Sequence, residues 1–265
     1  MSADPPRSVA FDRAASFYDT SRETESEETR REAELVASEL VGRDDVLEIG
    51  TGTGAIGLRL CEAGLRLTAI DLSMPMLGRL VERAGGYARF PLVQADATRM
   101  PFVDGAFDAA FARWVLHLIP NWPDALVEVA RVVRRGGVFL VNIGGAVAGP
   151  ESDVRARLAA EIGRELRPAG LMWHDYESLD AAAGRFGMRP RQLPPMHVER
   201  EESLGDYLRG IEQNQYSWLW PVPDEARLAA LAVVRPWAED RFGPLDRPMP
   251  VAFDIVWRAF DLPAG

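Results

Sequence analysis

The sequence predicts an α/β fold: a doubly wound, mostly parallel sheet with a helical insertion near its end. Three observations predict it. A buried-strand pattern, Val46, Leu47 and Ile49, runs into Gly50, Gly52 and Gly54 and then into an apolar helical start at Ile56, Leu58 and Leu60. A second strand, Leu65 to Asp71, closes on an acid 19 residues beyond Gly52. Strand and helix patterns then alternate to about residue 144, as they do when crossover helices join parallel strands.

Residues 7–40 read as two helices. Val9, Phe11, Ala14, Phe17 and Tyr18 form an apolar stripe at helical spacing, and a second helix follows the acid-rich stretch Glu23 to Glu28. The glycine loop at 50–54 leaves backbone bare for a ligand, and Gly64 is placed to end the helix behind it. A loop of this kind at a strand's carboxyl end is a nucleotide-type site. Gly52, Gly54 and Gly57 also satisfy the dinucleotide G-x-G-x-x-G pattern. Glu48 weighs against a dinucleotide. A carboxylate two residues before the loop opposes a pyrophosphate and suits a ligand bearing a sulfonium and an ammonium, which favours S-adenosylmethionine over NAD. Asp71 has the place and chemistry to accept both hydroxyls of a ribose, whichever nucleotide binds.

Ser73 is a helix cap, with Leu77, Leu80, Val81 and Ala84 on the buried face that follows. Phe90 to Ala97 is the third strand, ending in Asp96, an acid suited to an amino group or to capping a loop. Ala109 to Ala112 is the fourth strand, followed by Arg113 and His117. Asn121 and Pro123 open a helix that Arg134 to Gly137 ends, and Val138 to Ile143 is the fifth strand. Beyond it, 151–167, 176–186, 203–214 and 224–242 read as helices. A strand lies within 188–200, broken early by Pro194 and Pro195, and Val251 to Phe260 reads as a closing strand.

Glu48-x-Gly50-x-Gly52-x-Gly54 resembles motif I of the class I S-adenosylmethionine-dependent methyltransferases. Further similarities follow in order: Phe17-Tyr18-Asp19-x-x-Arg22, Asp71-Leu-Ser-x-x-Met76-Leu, Gln94-Ala-Asp-Ala97 and Met100-Pro-Phe. They cover residues 17 to 144 and look most like the small-molecule, ubiquinone/menaquinone-biosynthesis-like branch, "type 11". The resemblance implies a seven-stranded Rossmann-like sheet and methyl transfer from S-adenosylmethionine to a small molecule. It implies that Tyr18 and Arg22 meet the methionine end and that Gly50, Gly52 and Gly54 cradle the cofactor beside Glu48. Leu72 and Met76 would pack on adenine, which Asp96 and the backbone of Ala97 would read, and the carbonyl of Ala112 would hold the ammonium group. Residues 1–40 are then an N-terminal cap, 41–150 the cofactor-binding core, 151–242 a helical lid with one core strand, and 243–265 the closing strand.

In-line methyl transfer needs alignment and water exclusion more than a strong catalytic constellation. His117 is the candidate base, or a histidine of the sheet–helix seam. Arg113 is a candidate partner for a substrate anion, or a solvated surface arginine. Trp173, His174, Trp218 and Trp220 are candidate walls of a substrate pocket, or lid packing.

Composition excludes several chemistries. There is no lysine, hence no Schiff base to pyridoxal phosphate and no P-loop. A net charge of −10 opposes a nucleic-acid backbone partner. No His/Cys cluster suggests a metal. A lone cysteine, Cys61, and the lack of an apolar leader or membrane-length run point to a reducing, cytoplasmic setting without a membrane partner. The alternatives are a non-catalytic S-adenosylmethionine-binding module and a nicotinamide-dependent oxidoreductase on the same sheet.

Overall fold

A computed structural model describes residues 8–21, 24–144 and 149–264. The chain forms two compact units. The first takes the described residues within Met1–Gly144, Ala169–Pro195 and Val256–Gly265, and the second those within Gly145–Pro168 and Met196–Ile255.

The first unit is built on a seven-stranded sheet. Its strands in chain order are β1 (Val46–Ile49), β2 (Leu67–Asp71), β3 (Leu92–Gln94), β4 (Phe107–Arg113), β5 (Val133–Asn142), β6 (Arg189–Gln192) and β9 (Arg258–Asp261). Their spatial order is β3-β2-β1-β4-β5-β9-β6, with the first five parallel and β9 antiparallel to both neighbours. The order reverses between β1 and β4. Register sets Ile49 beside both Ile70 and Ala112, so the carboxyl ends of β1, β2 and β4 open together where such sheets bind ligands. Both sheet faces are covered, so the central strands are buried: β1 is buried along its length, Glu48 included, and Ala109 to Ala112 are fully buried. Phe139 on β5 stacks on its register partner Phe260 at 6.3 Å.

Helices α2 (Glu27–Glu39), α3 (Gly57–Glu62), α4 (Met74–Arg83), α5 (Trp122–Val132) and α7 (Tyr176–Gly184) belong to this unit. Ser26 and Ser73 cap α2 and α4, accepting from Thr29 N and Met76 N. Asn121, the expected cap of α5, makes no such bond. Helix α5 stops at Val132, and β5 begins five residues before the expected Val138. Val133 pairs with Phe107, a register shift separates that pair from the rest of the ladder, and Gly136 takes a φ of 74° between them.

The expected helix through Val9 to Tyr18 is not formed. Residues 8–11 are non-helical, a 3-10 turn spans Asp12–Ala14, and only α1 (Tyr18–Ser21) is α-helical. Of the apolar residues, Val9, Phe11 and Tyr18 line a cavity, and Val9 N donates to Leu118 O at 2.9 Å. Apolar spacing reported a packed segment but not its dihedrals.

The second unit contains α6 (Pro150–Ile162), β7 (Met196–Glu202), α8 (Leu204–Glu212), α9 (Asp224–Phe242) and β8 (Met249–Ile255). β7 and β8 form an antiparallel pair, and α9 packs on α6 and α8. The expected single closing strand, Val251 to Phe260, is two strands in different sheets. The chain breaks at Val256, whose carbonyl accepts from Asn142 Nδ2 at 3.0 Å and Tyr176 Oη at 2.9 Å. Those bonds use a polar group a continuous ladder would have needed. The strand expected within 188–200 is likewise divided, at Pro194 and Pro195, into β6 and β7. Among the described residues no helix is long and apolar enough to cross a membrane.

Candidate functional site

The glycine loop leaves β1 with left-handed backbone at Gly50, Gly52 and Gly54, at φ of 70°, 56° and 80°. At Gly50 a second demand joins the first: a Cβ would lie 2.6 Å from Val115 Cγ2. Gly50 N and Thr51 N both donate to Ile70 O, at 2.8 and 3.0 Å, which ties the loop to β2. From the other side Asp19 on α1 accepts from Thr53 Oγ1 at 2.5 Å, and Arg83 donates to Thr53 O at 2.7 Å. Asp19, in the phrase that resembles a cofactor cap, therefore braces the loop.

Glu48 takes a place that charge reasoning did not anticipate. Its carboxyl is buried behind the loop and is not part of the cavity lining. It accepts from Thr51 Oγ1 at 2.6 Å and from the backbone of Gly57. Burial pushes its pKa up to about 8 despite these donors. The folded form thus holds a proton that the unfolded chain releases above its ordinary value of 4.5. Stability from this group is lost as pH rises from that value through about 8. Glu48→Gln keeps an acceptor and removes the titration. Its melting temperature should therefore gain on the wild type's progressively between pH 5 and about 8; a constant difference across that range would contradict the assignment.

Asp71 ends β2 at the cavity. Its Oδ2 accepts from Gly52 N and its Oδ1 from Ser73 N, each at 2.8 Å. One carboxylate thus fixes the loop and the start of α4 while facing the cavity. Burial raises its pKa, against the pull of those backbone donors. At the next strand, Asp96 Oδ1 accepts from Thr98 N and Thr98 Oγ1 at 2.9 Å and from Ser8 Oγ at 3.2 Å.

Nine of the expected residues share one cavity. Tyr18, Gly50 and Gly52 line one part; Asp71, Leu72 and Met76 another; Asp96, Ala97 and Arg113 the remainder. Gly54 and Ala112 are buried and, like Glu48 and His117, lie outside the lining. Arg22 lies outside the described residues. Trp173 and His174 fall in the first unit but not on this lining, and Trp218 and Trp220 belong to the second unit. There Trp218 stacks on Tyr216 at 5.4 Å and Trp220 Nε1 donates to Asn214 O at 3.0 Å.

At the end of β4 the Arg113 guanidinium is paired. Its Nε and Nη2 donate to Glu32 Oε1 at 3.0 and 2.6 Å. Trp114 follows with φ 56°, uncommon for a bulky residue, its N–H on Asn142 O at 2.9 Å. His117 faces Trp173 at 6.2 Å between ring centroids. A Cβ on Gly144 would lie 3.3 Å from Trp173 Cδ1 and 3.7 Å from Trp114 Cδ1. His174 also has positive φ, at 59°, and burial lowers its pKa.

Sequence reasoning missed further contributors. Ser8, Val9 and Trp114 line the cavity, and Glu32 holds Arg113 from α2. Nothing local marked Ser8, and Val9 was marked only as part of an apolar stripe, because their role depends on where the chain docks. Glu32 had one legible sign, a position on the buried stripe of α2 beside Thr29, Ala33 and Val36.

Residues 47–141 match the sequence profile of a family described as "Methyltransferase domain". Demethylmenaquinone methyltransferase of Mycolicibacterium gilvum is 36% identical over 141 residues, 51% of this chain and 60% of that one. The protein of the same name from Corynebacterium urealyticum is 33% identical over 146 residues, covering 51% and 59%. The match thus spans about three-fifths of these relatives' length. Among solved structures, YcgJ of Bacillus subtilis aligns with a TM-score of 0.57 at 19% identity, covering 89% of this chain and all of that one. The [4+2]-cyclase SpnF aligns with a TM-score of 0.55 at 20% identity, covering 89% and 82%. At such identities these likenesses establish the fold, which hosts more than one chemistry.

Proposed function

We propose, for a chain whose residues 47–141 match a methyltransferase-domain family, that the cavity binds S-adenosylmethionine and that the protein transfers its methyl group to a small-molecule acceptor. The observation that carries this reading is Asp71: a carboxylate at the tip of β2, held by Gly52 N and Ser73 N, facing a cavity walled by bare glycine backbone and a second acid, Asp96. These groups match what a cationic adenosine derivative requires. Asp71 would accept from the ribose hydroxyls, and Asp96 with the backbone of Ala97 would read the adenine edge. Leu72 and Met76 would pack on its faces, and Tyr18 would cover the methionine end.

The bound cofactor supplies an electrophilic methyl on sulfur. This chain's part is to bind, align and exclude water. Ser8, Val9, Phe11 and Tyr18 wall the cavity from the N-terminal side, anchored by Val9 N on Leu118 O and by Asp19 on Thr53. Arg113 serves as wall and not as a substrate anchor, since its charge is already matched by Glu32. His117, outside the lining, would act only on an acceptor that arrives protonated. His117→Ala should then lower turnover while leaving cofactor affinity unchanged; a matched loss of both would make its role structural.

The demethylmenaquinone relatives suggest a ring-bearing acceptor. They share only part of their length with this chain, so the acceptor is proposed no more narrowly than a small molecule. The net charge of −10 supports the absence of a nucleic-acid partner, and the single cysteine supports a reducing, cytoplasmic setting. The test is turnover of methyl-labelled S-adenosylmethionine with a panel of small acceptors. Label is expected in an acceptor, with release of the demethylated cofactor. Tight binding without transfer across the panel would support the non-catalytic alternative.

A further inference from the structure

Glu32 is a carboxylate with no exposed surface, on a helix 81 residues from its partner in sequence. Both its oxygens are used. Oε1 accepts from Arg113 Nε and Nη2, and Oε2 accepts from Trp257 Nε1 at 3.0 Å. A buried ion pair of this kind is often no more stabilising than apolar groups of the same volume, so stability alone is a weak reason for it. Its location supplies a better one. Arg113 lines the cavity, its guanidinium lies 3.8 Å from the centroid of Trp114, and Trp114 lines the cavity too. An arginine cannot shed its proton. Without Glu32, a full positive charge would stand in the wall of a cavity whose other ionisable lining residues include Asp71 and Asp96.

We propose that Glu32 is a positioning residue that sets the charge of the cofactor cavity: by neutralising Arg113 it preserves the preference for the cationic methyl donor over its uncharged demethylated product. The proposal rests on the S-adenosylmethionine reading of the cavity. The two ligands share adenine, ribose, ammonium and carboxylate, and differ by one methyl and one positive charge. Their affinity ratio therefore isolates the cavity's response to that charge. A purely structural role for Glu32 would weaken both alike.

The experiment is calorimetric binding of S-adenosylmethionine and of S-adenosylhomocysteine to the full chain at pH 8. It compares the wild type with Glu32→Gln, Arg113→Met and the double variant. Glu32→Gln exposes the arginine charge and should lower the donor-to-product affinity ratio about tenfold. Arg113→Met leaves the carboxylate and should raise the ratio, about threefold or more. The double variant, lacking both charges, should return to within about twofold of the wild type. Shifts of opposite sign that cancel in the double variant support the role. A ratio that stays put while both affinities fall, or shifts of one sign, overturns it. If Glu32→Gln does not fold, Arg113→Met decides alone: a raised ratio supports the role, and an unchanged or lowered ratio overturns it. Wild-type protein that binds neither ligand would remove the cofactor reading and this role with it, whereas an unmoved ratio with both ligands bound removes this role alone.

Discussion

Asp71→Ala should weaken S-adenosylhomocysteine binding by about 1–3 kcal/mol, the scale of charge-assisted hydrogen bonds lost at a buried site. Two losses combine. The ribose hydroxyls lose their acceptor, and Gly52 N and Ser73 N, each now 2.8 Å from a carboxylate oxygen, lose theirs. The second loss loosens the loop that presents bare backbone to the ligand. Asp71→Asn should fall between wild type and alanine, since an amide oxygen still accepts but carries no charge. Calorimetry measures this directly, and an alanine variant with wild-type affinity would remove Asp71 from the site.

Gly57→Ala, at the first residue of α3 behind the loop, should be strongly destabilising. A Cβ there would overlap Glu48 Oε2 and approach Phe90 Cζ at 3.2 Å. The carboxyl would be driven off Thr51 Oγ1 and the Gly57 amide at a buried position. Overpacking together with a displaced buried polar group costs about 2–4 kcal/mol, or on the order of 4–15 °C in melting temperature for a chain of this size. Shortening the obstructing side chain should offset part of this. Glu48→Ala combined with Gly57→Ala should be less destabilised than the sum of the two single variants. Strict additivity would mean that the two positions do not compete for one space.

Much of this architecture is legible in the sequence, because the central strands are mostly apolar on both faces and each turn carries its own chemistry. β1 with its loop, β2 ending at Asp71, and α4 capped by Ser73 follow from local rules. So does the meeting of Gly50, Gly52, Asp71 and Asp96 round one cavity, since parallel strands must present their carboxyl ends together. Sequence was blind where a residue's role depends on a distant partner. An acid beside a glycine loop reads as part of the ligand site, yet strand alternation turns Glu48 toward Gly57 and Thr51. Arg113 reads as available for substrate until Glu32 is seen beside it. One apolar run, Val251 to Phe260, supplies strands to two sheets, because Asn142 and Tyr176 claim the carbonyl of Val256. Hydrophobic periodicity cannot locate such a break.

With Glu48 behind the loop, the cavity's choice of an adenosine amino-acid ligand over an anionic dinucleotide rests on Asp71 and Asp96. Side-by-side calorimetry of the purified protein with S-adenosylhomocysteine and with NADH tests that choice most directly. S-adenosylhomocysteine should bind with one-to-one stoichiometry and NADH should give no saturable heat. Saturable binding of NADH with none of S-adenosylhomocysteine would contradict it.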